Sequence, residues 1–274
     1  LISKQIRLFM SRPDYFKIAY EINPWMRMAR QPDPKKSLKQ WEELFRVLAK
    51  ETKAAVSLIP PVRDCPDLVF TANAGFVSGK QFLSSRFRYA ERRKEEPHFK
   101  RWFKHHGYRV RTVPENIFFE GEGDLLYQGG QLFLGYRFRS ESRAHFAISD
   151  WLGERVLPLE LRDKRFYHLD TCFLPLNSRT LLYYPGAFDP YSQKVIKTFI
   201  PHPVPVTERE AKKFVLNGIV VGKTLVTNEG LSTKTKRLIR SEGFRIIELD
   251  LSEFHKSGGS AKCLTLYVPS RRCE

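Results

Sequence analysis

Two short stretches of this chain echo each other. Gly107-Tyr108-Arg109-Val110 and Gly243-Phe244-Arg245-Ile246 each follow a segment of helical periodicity and lead into a β-rich segment. Thirteen residues after Gly107 comes Glu120, and fourteen after Gly243 comes Ser257; both open Gly-containing stretches, followed by apolar residues ending at Tyr127 and Tyr267. A helix–strand–loop–strand unit used more than once suggests repeated units arranged about a common centre, where their loops deliver side chains to one place. No long Gly/Ser linker divides the chain. Pro201-His202-Pro203-Val204-Pro205 is short enough to be a rigid connection within one domain, so residues 1–274 are expected to form a single α/β domain.

Local patterning supplies the elements. Ile6–Met10 reads as a first strand. Ser37–Lys50 reads as a helix, with Leu38, Trp41, Leu44, Phe45 and Leu48 on one face and Ser37 with Gln40 as a capping box. Leu68–Phe70, Gly75–Val77 and Gln81–Leu83 are strand candidates. Glu96–His106 is expected to be a helix with Pro97 in its first turn, a buried stripe of Phe99, Trp102 and Phe103, and Gly107 as its stop.

Hydrophobic residues make up 42% of 274, enough to bury a core, and no run approaches the ~20 apolar residues that span a bilayer. No apolar signal segment is visible near Leu1. The four cysteines, Cys65, Cys172, Cys263 and Cys273, match neither a zinc motif nor a dense disulfide framework. Free thiols in a reducing cytoplasm are the simplest reading, although an even count permits disulfides. The net charge of +17 attracts anions in general, but the basic residues are scattered and no nucleic-acid-binding signature accompanies them. They read as a solvated basic surface, with neither a specific nucleic acid nor a membrane as partner.

Three constellations could carry chemistry. In Ser257-Gly258-Gly259-Ser260-Ala261-Lys262-Cys263-Leu264 a thiol follows small residues whose backbone can approach a ligand. A thiolate there needs a cation or N–H donors nearby, which the loop Gly258–Lys262 could supply; local sequence leaves Cys263 open between a nucleophile and a buried structural cysteine. In Tyr167-His168-Leu169-Asp170, His168 and Asp170 would share one face of a strand. Local sequence favours a surface ion pair there over a proton-transfer site. The other histidines, His255 among them, read as surface or interface residues. Glu120-Gly121-Glu122-Gly123-Asp124 sets three carboxylates between glycines, either as an acidic turn or as a site for a cationic substrate; it lacks EF-hand ligand spacing. Asn23 and Asn73 read locally as turn residues.

Together these elements resemble the guanidino-group-modifying superfamily of dimethylarginine dimethylaminohydrolases, arginine deiminases, amidinotransferases and arginine dihydrolases. Four motifs match in order: Phe70-Thr71-Ala72-Asn73, Glu120–Asp124, His168-Leu169-Asp170 and Gly258-Gly259-Ser260-Ala261-Lys262-Cys263. The resemblance implies a five-bladed α/β-propeller of pseudo-fivefold ββαβ units with the active site at its centre. It implies Cys263 as nucleophile, His168 as general acid and base, Glu120 orienting His168, and Asp170 binding the guanidinium. It assigns substrate binding to Asn23, Asn73 and Asp124, and the α-carboxylate to Arg92 and Arg139, with Arg86, Arg88, Arg93 and Arg137 competing for those roles. The substrate would be a small guanidino compound, arginine or a methylarginine, and no metal or organic cofactor is called for.

Many members of that superfamily carry Asp where this chain has Asn73. With Asn23 in Ile22-Asn23-Pro24-Trp25-Met26 and Asn73 in Phe70-Thr71-Ala72-Asn73-Ala74-Gly75, the chain looks like the arginine dihydrolase branch, which converts arginine to ornithine, carbon dioxide and two ammonia. In that branch the module can be fused to a second catalytic domain, and 274 residues would be the module alone. A dimethylarginine dimethylaminohydrolase, an arginine deiminase and an amidinotransferase are the alternatives.

Overall fold

The computed structural model describes residues 6–268. Cys273 and the chain start at Leu1 lie outside the described residues. The strands are β1 (Arg7–Ser11), β2 (Ala55–Ile59), β3 (Gly75–Ser78), β4 (Gln81–Ser84), β5 (Arg109–Thr112), β6 (Leu125–Gln128), β7 (Gln131–Tyr136) and β8 (Val156–Glu160). They continue as β9 (Phe173–Pro175), β10 (Thr180–Tyr183), β11 (His202–Pro205), β12 (Ile219–Val221), β13 (Thr224–Asn228), β14 (Arg245–Leu249) and β15 (Leu266–Val268).

These strands form five three-stranded sheets: β3-β4-β5, β6-β7-β8, β9-β10-β11, β12-β13-β14 and β15-β1-β2. In each, the first strand runs antiparallel to the second and the second parallel to the third. A parallel neighbour requires a crossover, and each sheet places a helix of at least nine residues there: Pro34–Arg46, Glu96–His105, Ala144–Leu152, Pro190–Phe199 and Thr233–Ser241, the second preceded by the short helix Ala90–Arg93. Strands β3, β6, β9, β12 and β15 begin at Gly75, Leu125, Phe173, Ile219 and Leu266, a period of roughly 50 residues. The two matching Gly-aromatic-Arg stretches lead into β5 and β14, equivalent third strands. In the last sheet β15 pairs with β1, joining the two ends of the described chain.

Several local expectations change. The first helix starts at Pro34 rather than Ser37: Asp33 caps it by accepting from the Lys36 N–H, and Ser37 Oγ donates to the Asp33 carbonyl. Its C-terminal end widens into a π-type turn, Val47–Glu51. Leu68–Phe70 is not a strand; Pro66–Val69 is a 3₁₀ turn buried throughout. The rigid connection expected at Pro201–Pro205 is largely a strand, since His202–Pro205 forms β11. Its prolines are tolerated because β11 pairs on one side only, with β10. The helix at Glu96–His105 buries Phe99 and Phe103, and Phe103 stacks on Phe82 of β4 at 3.7 Å. Among the described residues no helix is long and apolar enough to cross a membrane.

Each first strand is preceded by a tight turn: Thr71–Ala74, Gly121–Gly123, Leu169–Thr171, the segment 214–217 and the segment 261–264. These turns bond to one another. The Ala72 N–H donates to the Cys263 carbonyl, Thr71 Oγ1 to the Leu264 carbonyl, and the Lys262 N–H to the Asn217 carbonyl. The third sheet's turn is held to the second by the Leu169 N–H, which donates to Asp124.

Candidate active site

The five turns bring the sequence candidates together. Cys263 Sγ donates to Asp170 Oδ2 at 3.2 Å and accepts from Asn217 Nδ2 at 3.1 Å. Gly259 permits the chain to fold back here: a Cβ on it would lie 2.5 Å from the Phe70 ring and 3.2 Å from the Cys263 Cβ. The thiol is 2% exposed. Burial, with Asp170 beside it, pushes its pKa well above the usual thiol range, and the Asn217 hydrogen bond only partly offsets this. The resting group is therefore a thiol rather than a thiolate. Asp170 keeps its other oxygen without a partner; burial, opposed by the charge of Lys262, lifts its pKa to about 6.

His168 does not stand in a strand. It is the extended residue before the 3₁₀ turn Leu169–Thr171, and the turn sends His168 and Asp170 to different partners. His168 Nε2 bonds Glu120 Oε2 at 2.8 Å. Glu120 Oε2 also accepts from Arg139 at 3.0 Å, and Glu120 Oε1 accepts from the Arg88 N–H at 3.1 Å. Burial alone would raise the Glu120 carboxyl, but Arg139 and His168 outweigh it and hold it well below the ordinary carboxylate range. An imidazole oriented by a permanently ionised carboxylate can take up and return a proton.

The three acids of the Glu120–Asp124 stretch diverge. Glu122 pairs with Lys262 at 2.8 Å and accepts from the Tyr267 N–H at 2.8 Å, tying this turn to the cysteine loop. Asp124 accepts from the backbone N–H groups of Leu169 and Ser140, each at 3.1 Å, so both of its oxygens hold chain segments together. These bonds hold the turn before β9 and the segment at Ser140 to the Glu120–Asp124 stretch. Gly123 lies between two candidates: a Cβ there would come within 3.0 Å of Asn73 Nδ2 and 3.2 Å of the His168 ring.

Asn73 accepts from Arg92 at 2.8 Å through Oδ1, while its buried Nδ2 has no partner. Arg92 is bidentate to Glu95, both bonds at 2.8 Å, and donates to the Asp67 carbonyl at 3.1 Å. Burial, opposed by Arg92, brings Glu95 to about 7. Arg139 lies between the rings of Tyr89 and Tyr167 and also donates to the Ile22 carbonyl. Of the competing arginines, Arg93 bonds the carbonyls of Phe87 and Arg88, Arg88 bonds the carbonyl of Arg139, and Arg137 pairs with Glu160 at the surface. Asn23 is a turn residue and a tether at once: Oδ1 accepts from the N–H groups of Trp25 and Met26, and Nδ2 donates to the Ser257 carbonyl of the cysteine loop at 3.1 Å. His255 departs from the surface reading. It is half-buried, stacks on Phe214 at 4.7 Å, and burial pushes its pKa down to about 4.

The charge at this centre opposes that of the chain. Asp67, Glu95, Glu120, Glu122, Asp124 and Asp170 are buried around it, against Arg92, Arg139 and Lys262. A chain of net charge +17 thus encloses a site with an excess of carboxylates, one of which bonds the thiol. Sequence reasoning missed Asn217, the Glu122–Lys262 pair and Asp67. Asn217 carried a faint signal: it stands two residues before β12 as Asn73 stands two before β3, which tracing the repeat through every sheet would have revealed.

Comparison with known proteins fits this arrangement. The profile of the family described as N,N dimethylarginine dimethylhydrolase, eukaryotic, matches residues 12–269. The bifunctional arginine dihydrolase/ornithine cyclodeaminase AgrE of Nostoc sp. is 43% identical over 97% of this chain, which spans 38% of that protein's length. The N(G),N(G)-dimethylarginine dimethylaminohydrolase of Mycobacterium tuberculosis is 39% identical, covering 96% of this chain and 85% of its own. The crystal structure of the N-terminal domain of ArgZ, a cyanobacterial arginine dihydrolase, bound to product, superposes with a TM-score of 0.92 at 43% identity, over 97% of this chain and 98% of that one. That domain is also known with substrate bound to a Cys-to-Ser mutant, and as an Asn-to-Ser variant covalently bound to a reaction intermediate.

Proposed function

This chain belongs to the N,N-dimethylarginine dimethylhydrolase family, and on that premise we propose that it is a cysteine-dependent hydrolase of the guanidino group of L-arginine, releasing ornithine, carbon dioxide and two ammonia. We further propose that the five sheets are the blades of an α/β-propeller about a pseudo-fivefold axis, in a single domain.

The observation that carries the reading is the buried excess of carboxylates with a thiol hydrogen-bonded to one of them. Such a site is complementary to a planar cation. A guanidinium bound at Asp170 would take over the carboxylate that now accepts from the thiol, and its charge would favour the thiolate. Addition of the thiolate to the guanidinium carbon forms the C–S bond. Collapse breaks a C–N bond, with His168 protonating the departing ammonia, and leaves an S-alkylthiouronium on Cys263. Water, deprotonated by His168, adds to that carbon, and the C–S bond breaks to return the thiolate and citrulline. A second cycle on the retained ureido group releases the second ammonia, and hydrolysis of the resulting thiocarbamate gives ornithine and carbon dioxide. Glu120 keeps His168 oriented in both directions of proton transfer. Asn73, neutral and with a free Nδ2, can donate to the ureido oxygen that forms between the cycles; an Asp at this position could not.

A methylarginine hydrolase is the second reading, favoured by the family match and the mycobacterial relative. The test is a product assay of the purified protein with L-arginine, with Cys263→Ser as control. Ornithine with two ammonia, absent in the mutant, supports the dihydrolase. Citrulline with one ammonia makes it a deiminase, and turnover of methylated arginine alone, giving citrulline and an alkylamine, establishes the second reading.

A further inference from the structure

We propose that Asn217 is the residue that holds the Cys263 thiolate, fixing the sulfur by geometry and stabilising its charge through a neutral N–H donor. The inference rests on the hydrolase reading above and adds a residue to its machinery. Asn217 is fully buried, and all four hydrogen-bonding positions of its side-chain amide are used. Oδ1 accepts from the N–H groups of Ser260 (2.8 Å) and Cys263 (3.2 Å); Nδ2 donates to the Asp170 carbonyl (3.0 Å) and to Cys263 Sγ (3.1 Å). This pattern admits one orientation of the amide. Rotating it by a half-turn would set its NH₂ against two N–H groups and its oxygen against a carbonyl and the sulfur.

The consequence appears when a cation engages Asp170. The thiol proton passes to His168, the base of the mechanism above, which later delivers it to the departing ammonia, and the sulfur changes from donor to acceptor. Asp170, which offers only oxygens, cannot follow that change. Lys262, the adjacent cation, is committed to Glu122 and to the Thr265 carbonyl. Asn217 Nδ2 is already in place and needs no rearrangement, the condition under which a donor contributes most to a developing negative charge. Because Asn217 belongs to the turn before β12 and Asp170 to the turn before β9, one amide spans three turns of the centre and sets their spacing at the sulfur.

Asn217→Asp separates the two parts of this role. It keeps the shape and the oxygen that accepts from Ser260 and Cys263, and replaces the donor to the sulfur with a negatively charged oxygen. The readout is the rate at which iodoacetamide alkylates the Cys263 peptide as a function of pH, followed by mass spectrometry, with Cys263→Ser as background; no arginine is needed. We expect the profile to move to higher pH, with alkylation at neutral pH slower by roughly tenfold or more. With arginine, kcat falls by roughly tenfold to a hundredfold while KM stays within about threefold. Asn217→Ala, which removes the donor without adding charge, moves the profile the same way by less and serves if the Asp variant does not fold. A folded variant of either kind with the wild-type alkylation profile overturns the proposal, since a purely structural residue would lower melting temperature and leave the profile in place. A wild-type protein that turns over no guanidino compound sinks the hydrolase reading, and the shift of the alkylation profile between wild type and Asn217→Asp then decides separately whether the amide holds the thiolate.

Discussion

Adding one methyl group at Gly123 tests the geometry of the site directly. The Cβ of Gly123→Ala would fall within 3.0 Å of Asn73 Nδ2 and 3.2 Å from two carbons of the His168 ring. Carbon makes comfortable contact at about 3.5–4.0 Å, so the Asn73 amide must retreat by roughly 1 Å and the imidazole by a few tenths. Neither moves freely: Arg92 holds Asn73 at 2.8 Å and Glu120 holds His168 at 2.8 Å. Overpacking of this kind costs about 1–3 kcal/mol, and in a chain of this size each kcal/mol lowers the melting temperature by about 2–4 °C. Activity should suffer more than stability, because a displacement near 1 Å at reacting groups costs on the order of a hundredfold in kcat. The assay is kcat for arginine beside a thermal melt, with Gly79→Ala as control. Gly79 has φ +59° and nothing within 4 Å of its added Cβ, so that substitution strains the backbone, costs about 1 kcal/mol, and leaves kcat unchanged. If Gly123→Ala keeps kcat within about twofold while folded, Asn73 and His168 are not held in one working arrangement, and the argument fails.

Asp170→Asn should remove one contribution to the fall of stability with rising pH. The Asp170 carboxyl is lifted by burial to about 6, above its unfolded value near 4, so it is protonated in both states at low pH and costs folding free energy as pH rises through that interval. The cost reaches about 3 kcal/mol at neutral pH; the variant should melt higher than wild type at pH 7, equal it near pH 4, and lose arginine turnover, and equal melting at pH 7 would contradict this. Lys262→Met should destabilise by about 3–5 kcal/mol by leaving the buried Glu122 carboxylate without its cation, and the double substitution Glu122→Leu/Lys262→Met should recover much of that in a denaturant titration. Asn73→Asp should fold, because Arg92 already bonds Oδ1 and would pair with a carboxylate, and it should raise the share of citrulline among the products; an unchanged ratio of citrulline to ornithine removes Asn73 from the second cycle.

Much of this protein was legible before its fold was seen, for a physical reason. Periodicity and helix-stop residues are local, so the Glu96–His105 helix, its Phe99 and Phe103 face and the Gly107 stop follow from the chain alone. The thiol, the imidazole and the carboxylates were not singled out by local pattern, which left Cys263 and Glu120–Asp124 open and favoured a surface ion pair for His168 and Asp170; only their order along the chain, through the resemblance it carries, marked them as one set. The environment of Leu68 and of His168 was not local. Apolar runs there looked like strands, yet both lie in turns at the centre, where burial on every side erases alternation and where the Asp124 carboxylate captures the Leu169 N–H. Ser37 lost the helix start to Asp33 through one hydrogen bond to Lys36, a contest between two good caps that composition cannot settle. Nothing local sets Asn217 before Gly218 apart from an ordinary turn dipeptide. Only the meeting of turns from separate sheets set its amide against a sulfur 46 residues away, and with it the partners of every charge in the site. Residue types and their order decided which chemistry this chain could hold; which oxygen meets which proton was decided by the packing of five turns drawn from distant parts of the sequence.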